Sequence, residues 1–361
     1  MQSIRRVVAA ALVAGTGLAA MTGIGSAAAS PVHHDPQWRQ LPGAYVAPLQ
    51  FAVSGRKVAV ADSFASALFL VGREKPIATG YPPTQTEEAS GDLAGVDLRN
   101  GAIAYTTTKA DHKDTLLVVL RHGKKPLRVN LGRYERHHNP DGHVVYGVKD
   151  PSTVPQECAT VLQQMGVPAL RYRGQKDSHP YAVAGLPDGS WLVADAGGND
   201  VLRVDRHGRI STFAVLPAQK LHITEELATQ LGAPACAGIT YRFEAVPTDV
   251  EVTEHGIHVS TLSGSFADGR VYEVSRHGHL RQLVGGVPGL TNIAVSGSGR
   301  VYAAELGVGV FSLGKHGLKP VKALPNAAAV EWANGRLYAS TAPIAATQGH
   351  DTSKGHVFVL R

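Results

Sequence analysis

The chain has 361 residues, 43% of them hydrophobic and 18% charged, with a formal net charge of +6. That apolar share is too high for a disordered polyelectrolyte, and past the N-terminus it falls in short runs that exclude a helical membrane bundle. The basic surplus is modest and comes with no recognised nucleic-acid motif, so no nucleic-acid partner is expected.

Residues 1–29 read as a secretory signal peptide. Arg5 and Arg6 precede an apolar stretch from Val7 to Ala20, and Ser26-Ala27-Ala28-Ala29 supplies a small-residue cleavage site after Ala29. The mature chain, residues 30–361, is expected to be a secreted, monomeric single domain in an extracellular or periplasmic compartment. No later segment is apolar enough for a transmembrane span.

A unit of about forty residues then recurs six times, opening near Tyr45, Leu93, His179, Val246, Gly289 and Asn326. Each copy reads strand, turn, strand, loop, strand, turn, strand, which is the signature of a β-propeller. The expected fold class is all-β, a six-bladed propeller. Blade three is the clearest copy. His179–Leu186 is strand A, and Pro187-Asp188-Gly189 is a turn. Trp191–Asp195 is strand B, Val201–Val204 strand C and Ile210–Val215 strand D. Strand B recurs as Ala59–Asp62, Ile103–Thr106, Ile257–Thr261, Val301–Glu305 and Leu337–Thr341.

The ends of the chain complement one another. The last copy stops after strand C, at Gly355–Arg361, whereas the mature N-terminus carries an extra strand, Trp38–Gly43. The extra strand is predicted to complete blade six and so remove an exposed edge.

Propeller topology places D-to-A and B-to-C connections on one face, here the top. Two large D-to-A insertions, about 133–178 and 218–245, flank blade three. Each carries one cysteine and a short helical pattern, Pro155–Met165 and Thr224–Leu231. Cys158 and Cys236 are the only cysteines, and a shared face favours a disulfide over two free thiols. The B-to-C loops Ser263–Gly269 and Ala342–Lys354 add further bulk on the top face, where function on a rigid scaffold usually sits.

Four similar tripeptides, Arg121-His122-Gly123, Arg206-His207-Gly208, Arg276-His277-Gly278 and Lys315-His316-Gly317, invite a metal reading. All fall in C-to-D turns of separate blades on the bottom rim, too far apart to share one ion. They read as solvated turns, or as a basic ring for polyanions. The top-face acids are the better candidates. Asp62, Asp195 and Glu305 end strand B, while Asp249, Asn292 and Gln50 open strand A, with His179 at the rim. Converging oxygens there would suit a Ca²⁺ or Mg²⁺ ion at the propeller axis, with Asp195, Asp249 and Glu305 as ligands. Strand-end hydrogen bonding is the competing reading. The matching strand-B positions in blades two, four and six read as Thr106, Thr261 and Thr341, which weakens any six-fold ligand set.

The stretch His179–Asp200, with Thr240–Val250 in support, resembles the ScyD/ScyE family, exported proteins of cyanobacteria and actinobacteria related to NHL-repeat propellers. The resemblance runs over roughly Tyr45–Arg361 and is most specific in blades three to five. It implies a six-bladed, NHL-like propeller and brings no agreed activity.

No G-x-S-x-G, H-E-x-x-H, EF-hand or phosphate-loop pattern is present. The leading expectation is therefore a binding scaffold for a small molecule or envelope component rather than an enzyme. The alternatives are a metal-dependent propeller enzyme, lactonase- or lyase-like, and a polyanion-binding envelope protein.

Overall fold

A computed structural model describes residues 37–81, 91–164, 166–230, 232–314, 317–343 and 354–361. The signal peptide reading, Lys315-His316 and most of the 342–354 loop lie outside the described residues.

The described residues form seven antiparallel four-stranded sheets. The first runs Pro48–Ser54, Lys57–Asp62, Ala67–Leu70, Ala78–Thr79, and the second Asp92–Arg99, Ala102–Thr108, Thr115–Leu120, Leu127–Asn130. The third is Pro180–Gly185, Trp191–Asp195, Asp200–Val204, Ile210–Val215, and the fourth Pro247–Thr253, Gly256–Thr261, Gly269–Val274, Leu280–Val287. The fifth is Leu290–Val295, Val301–Glu305, Gly309–Gly314, Gly317–Pro320. The sixth joins Ala327–Ala333, Arg336–Thr341 and Val357–Leu360 to the N-terminal Trp38–Gln40. In it Trp38 pairs with Leu360, Arg39 with Val359 and Gln40 with Phe358, the pairing expected from the chain ends.

These six sheets follow the six repeats. Their first strands touch in cyclic order, one to two through six and back to one. Apolar side chains fill each interface around the cycle. Leu192 and Val201 meet Val250 and Val259 between sheets three and four, and Phe51 and Val60 meet Ala329 and Val357 between six and one. The core is thus divided among sheet interfaces, which lets a long chain fold without one oversized interior.

The seventh sheet corrects the sequence reading, which gave the insertions only short helices. Its strand order is Arg171–Arg173, Val145–Gly147, Thr240–Phe243, Gln219–His222, so both insertions contribute two strands. The cycle closes without it. Segments of three or four residues between Gly and Pro are too short to show strand alternation in sequence. Three helices accompany them, α1 Leu131–His138, α2 Gln156–Gln164 and α3 Glu225–Gln230. The first was not foreseen: Asn130 caps it by accepting from Arg133 N at 2.6 Å, and Asn139 ends it in the left-handed region. Cys158 and Cys236 form a disulfide with Cα atoms 4.9 Å apart, inside an apolar cluster with Leu162, Ile223, Ala228, Tyr241 and Phe243.

The described Arg-His-Gly tripeptides lie in the turns before the fourth strands, where Gly123, Gly208 and Gly278 take φ of 66°, 88° and 81°. Glycine is needed there for the hairpin twist, and the flanking side chains remain exposed except for Arg121, which is half-buried.

Candidate functional site

Every first strand carries a register shift near its start, after Pro48, Leu93, Pro180, Pro247, Leu290 and Ala327. Those residues pair with Asp62, Thr107, Asp195, Thr261, Glu305 and Thr341. The equivalent position in the second sheet is therefore Thr107, not Thr106 as read from sequence. The strand extends to Thr108, and a slip of one residue moves each side chain to the other face.

The strand-ending acids do not converge. Asp62 accepts from Val46 N and Ala47 N, each at 2.8 Å. Asp195 accepts from Ser178 Oγ and His179 N at 2.6 Å, and from Gly197 N and Gly198 N at 3.1 and 3.3 Å. Both carboxylates pin the loop that enters their own sheet, and burial still raises both pKa values. Glu305 is half-buried, and burial raises its pKa too. Among the described residues no three His, Cys, Asp or Glu side chains stand ready around one metal position.

The strand-opening residues do gather, at the axis. Asn292 Nδ2 donates to Gln50 Oε1 at 3.0 Å, its Oδ1 accepts from Val330 N at 2.7 Å, and Gln50 Nε2 donates to Thr248 O at 2.9 Å. Asp249 accepts from Val250 N and, across to sheet five, from Ile293 N. The bonds to Val330 and Ile293 join neighbouring inner strands, whereas the two made by Gln50 link sheet one to sheets four and five.

Two residues further along, register places Asp97, Glu251 and Glu331 at one level in sheets two, four and six, with Ala52, Ala184 and Ala294 between them. Asp97 accepts from Leu98 N and from Gly185 N of the neighbouring sheet. Burial and mutual repulsion push Glu251 and Glu331 well above the usual carboxylate range. Sequence reasoning missed this ring, although alternation from Asp249 to Glu251 pointed to it.

The most chemically able group stands between sheets two and three. His179 Nε2 lies 2.6 Å from Asp92 Oδ2, and His112 Nδ1 lies 2.9 Å from Asp177 Oδ1. The two imidazole rings are 4.9 Å apart, and Tyr181 meets His179 edge-on. Asp92 opens a first strand, His112 sits in a B-to-C loop, and Asp177 and His179 come from the first insertion. Three segments of the chain thus supply one cluster. Only His179 was singled out in sequence. The other three, one at a strand start and two in loops, carry no local signal until the fold brings them together.

Side-chain exposure rises from 9% at His179 and 15% at Asp92 to 31% at His112 and 36% at Asp177, so the inner pair is shielded and the outer reaches solvent. Burial alone would lower the His179 pKa, but Asp92, Asp177 and Asp195 outweigh it and raise the value; His112 in turn holds Asp177 below its usual value. An unfolded imidazole titrates near 6.5. The stabilisation from charged His179 is therefore complete below that value and disappears as pH rises through the higher folded pKa. The stability advantage of the native protein over His179→Gln should shrink between about pH 6 and about pH 9. Urea denaturation at both values measures it, and a constant difference would contradict the pairing.

An open groove of about 620 Å³ lies elsewhere, near the Asn334-Gly335 turn. It is lined by Trp332, Arg336 and Arg361, with Tyr302 stacked on Trp332 at 5.7 Å, and holds no acid–base pair.

No family model matches the chain, and no curated protein matches it in sequence. Solved structures do match in fold, and they are β-propellers. An oxidoreductase of Thermus thermophilus assigned as a glucose dehydrogenase is 16% identical, with 91% of this chain and 100% of that chain covered and a TM-score of 0.52. The PQQ-bound aldose sugar dehydrogenase of Streptomyces coelicolor is 12% identical, with 91% and 98% covered and a TM-score of 0.52. A virginiamycin B lyase of Staphylococcus aureus is 13% identical, with 84% and 81% covered and a TM-score of 0.47. At such identities the likeness establishes a propeller fold and nothing about activity.

Proposed function

We propose that this is an exported six-bladed β-propeller that binds a small polar ligand on its top face. The binding position is the His112–Asp177 and His179–Asp92 cluster. The closed cycle of six inner strands supports the blade count, with the insertion sheet as an appendage. Residues 30–361 then form one domain after a signal peptide of residues 1–29. The leader pattern and the disulfide support export. The resemblance of His179–Asp200 to ScyD/ScyE proteins supports the same assignment.

One observation carries the ligand reading: two His–Asp pairs with rings 4.9 Å apart grade from shielded to solvent-reached. Such a cluster offers both donors and acceptors to a hydroxyl- or carboxyl-bearing ligand. Thermal-shift screening of a polar metabolite collection tests it. Hits should stabilise the native protein and lose their effect in His112→Ala. Hits that persist in His112→Ala and in His179→Gln would place binding elsewhere and reject the site.

A second reading is enzymatic, and the same pairs favour it. A His held by Asp can accept or donate a proton at a bound substrate. The reactions of the structural neighbours add no weight. Turnover of any screened ligand by the native protein, abolished in His112→Ala, would decide for catalysis.

A further inference from the structure

Three carboxylates lie together where the first insertion meets sheet three. Glu135 is on α1, Asp141 follows that helix, and Asp200 opens the third strand. Their residual exposures are 1%, 0% and 0%. Among the described residues no donor reaches either oxygen of Glu135, either oxygen of Asp200, or Oδ1 of Asp141. Buried polar atoms almost always have partners, so this concentration of orphaned anionic oxygens calls for one.

The surroundings aim these oxygens without satisfying them. Tyr146 Oη and Asn199 Nδ2 donate to Asp141 Oδ2 at 2.9 and 3.1 Å, which fixes the carboxylate, while Oδ1 lies against Gly174 with no donor. Glu135 Oε2 and Asp200 Oδ1 flank Gly198: a Cβ there would stand 3.3 Å from the first and 3.4 Å from the second. The nearby charges are mostly of the same sign. Asp195 and Asp177 act on Glu135, Asp195 acts on Asp200, and Glu244 feels Asp141. Lys176, itself exposed, and His143 are the offsets. Burial and these neighbours push Glu135 up to about 9 and Asp200 well above the usual range.

We propose that Glu135, Asp141 and Asp200 bind a Ca²⁺ ion that fastens the first insertion to sheet three. The donor set is all oxygen and strongly anionic, which suits a hard cation. Zn²⁺ would call for imidazole or thiolate ligands, and Mg²⁺ keeps several waters that a site this buried accommodates poorly. The carboxylates do not yet surround a single point. Binding therefore requires the side chains of Glu135 and Asp200 to turn toward the ion, a demand that the flexible coordination of Ca²⁺ keeps small. The site is separate from the proposed axial position and independent of the ligand reading.

The test uses the mature chain, stripped with a chelator and titrated with CaCl₂ or MgCl₂ by calorimetry. One Ca²⁺ per chain should bind, more tightly than Mg²⁺, and raise the melting temperature. Tb³⁺ should also bind, give sensitised emission through nearby Tyr146, and be displaced by Ca²⁺. Glu135→Gln and Asp200→Asn should each weaken Ca²⁺ binding by about 100-fold or more, beyond the effect of losing an outer-shell partner. Hydrogen exchange of the native protein provides a readout that needs no variant: Ca²⁺ should protect Leu131–His138 and Ala196–Asp200. Three results would overturn the proposal. They are no saturable Ca²⁺ or Tb³⁺ binding, undiminished binding in the Glu135→Gln/Asp200→Asn pair, and protection confined to other segments. The first would leave shared protons as the way these carboxyls are neutralised.

Discussion

Removing residues 37–41 from the mature chain is expected to lower the melting temperature by roughly 5–10 °C, an order-of-magnitude conversion of about 3 kcal/mol for a chain this size. The deleted strand pairs along Phe358–Leu360. It also closes two bonds between Gln37 and Arg361 at 3.1 Å and one from Leu41 N to Val357 O at 2.8 Å. Trp38 packs on the cluster of sheets five and six and donates Nε1–H to Lys322 O at 3.2 Å. A net contribution of about 0.5 kcal/mol for each of these four partly exposed bonds, plus about 1 kcal/mol for part of an indole's burial, gives that total. The larger consequence is topological. Without Trp38–Gln40 the sixth sheet ends on Val357–Leu360 with an open edge, so the truncated chain should also associate on heating. Calorimetry and light scattering measure both effects. A truncated chain that melts with the native one would mean the ring is not held closed by this strand.

What could be read from the sequence follows from the length of each signal. The six repeats announce themselves because the first two strands of each run five or more residues and are joined by a short turn. Trp191–Asp195, Ile210–Val215 and Val301–Glu305 therefore match their expected bounds. The seventh sheet is built from segments such as Val145–Gly147 and Arg171–Arg173. They pair with each other across more than twenty residues, and with the other insertion through Gly147 and Arg242 alone, so no local periodicity marks them.

The site was legible only in part, for a related reason. Asp62 and Asp195 stand out as acids at strand ends, but backbone N–H groups of the incoming loops claim them. In that setting an acid at a strand end serves the fold. His179 acquires its chemistry from Asp92 and His112, residues that sequence cannot place beside it. Glu135, Asp141 and Asp200 come from a helix, a loop and a strand, and only their joint burial marks them.

Breaking the Cys158–Cys236 bridge is expected to cost about 4–5 kcal/mol in the chain-entropy account, and the damage should stay local. The bridge spans 78 residues of sequence, a loop that contains all of sheet three. Sheet three has its own support: strand pairing throughout and apolar interfaces with sheets two and four. The insertion sheet has much less. Its halves are joined by one register pair, Gly147 with Arg242, and by the small cluster around the disulfide. In a Cys158→Ser/Cys236→Ser variant the amides of Val145–Gly147 and Thr240–Phe243 should therefore exchange far faster, while those of Trp191–Asp195 keep most of their protection. The first of those strands carries Tyr146, one of the two donors that orient Asp141. Loss of the bridge should accordingly weaken Ca²⁺ binding even though no ligand has changed. Uniform loss of protection across the ring would instead show that the insertions are built into the propeller core, and would reject the division of the fold into a closed cycle and an appended sheet.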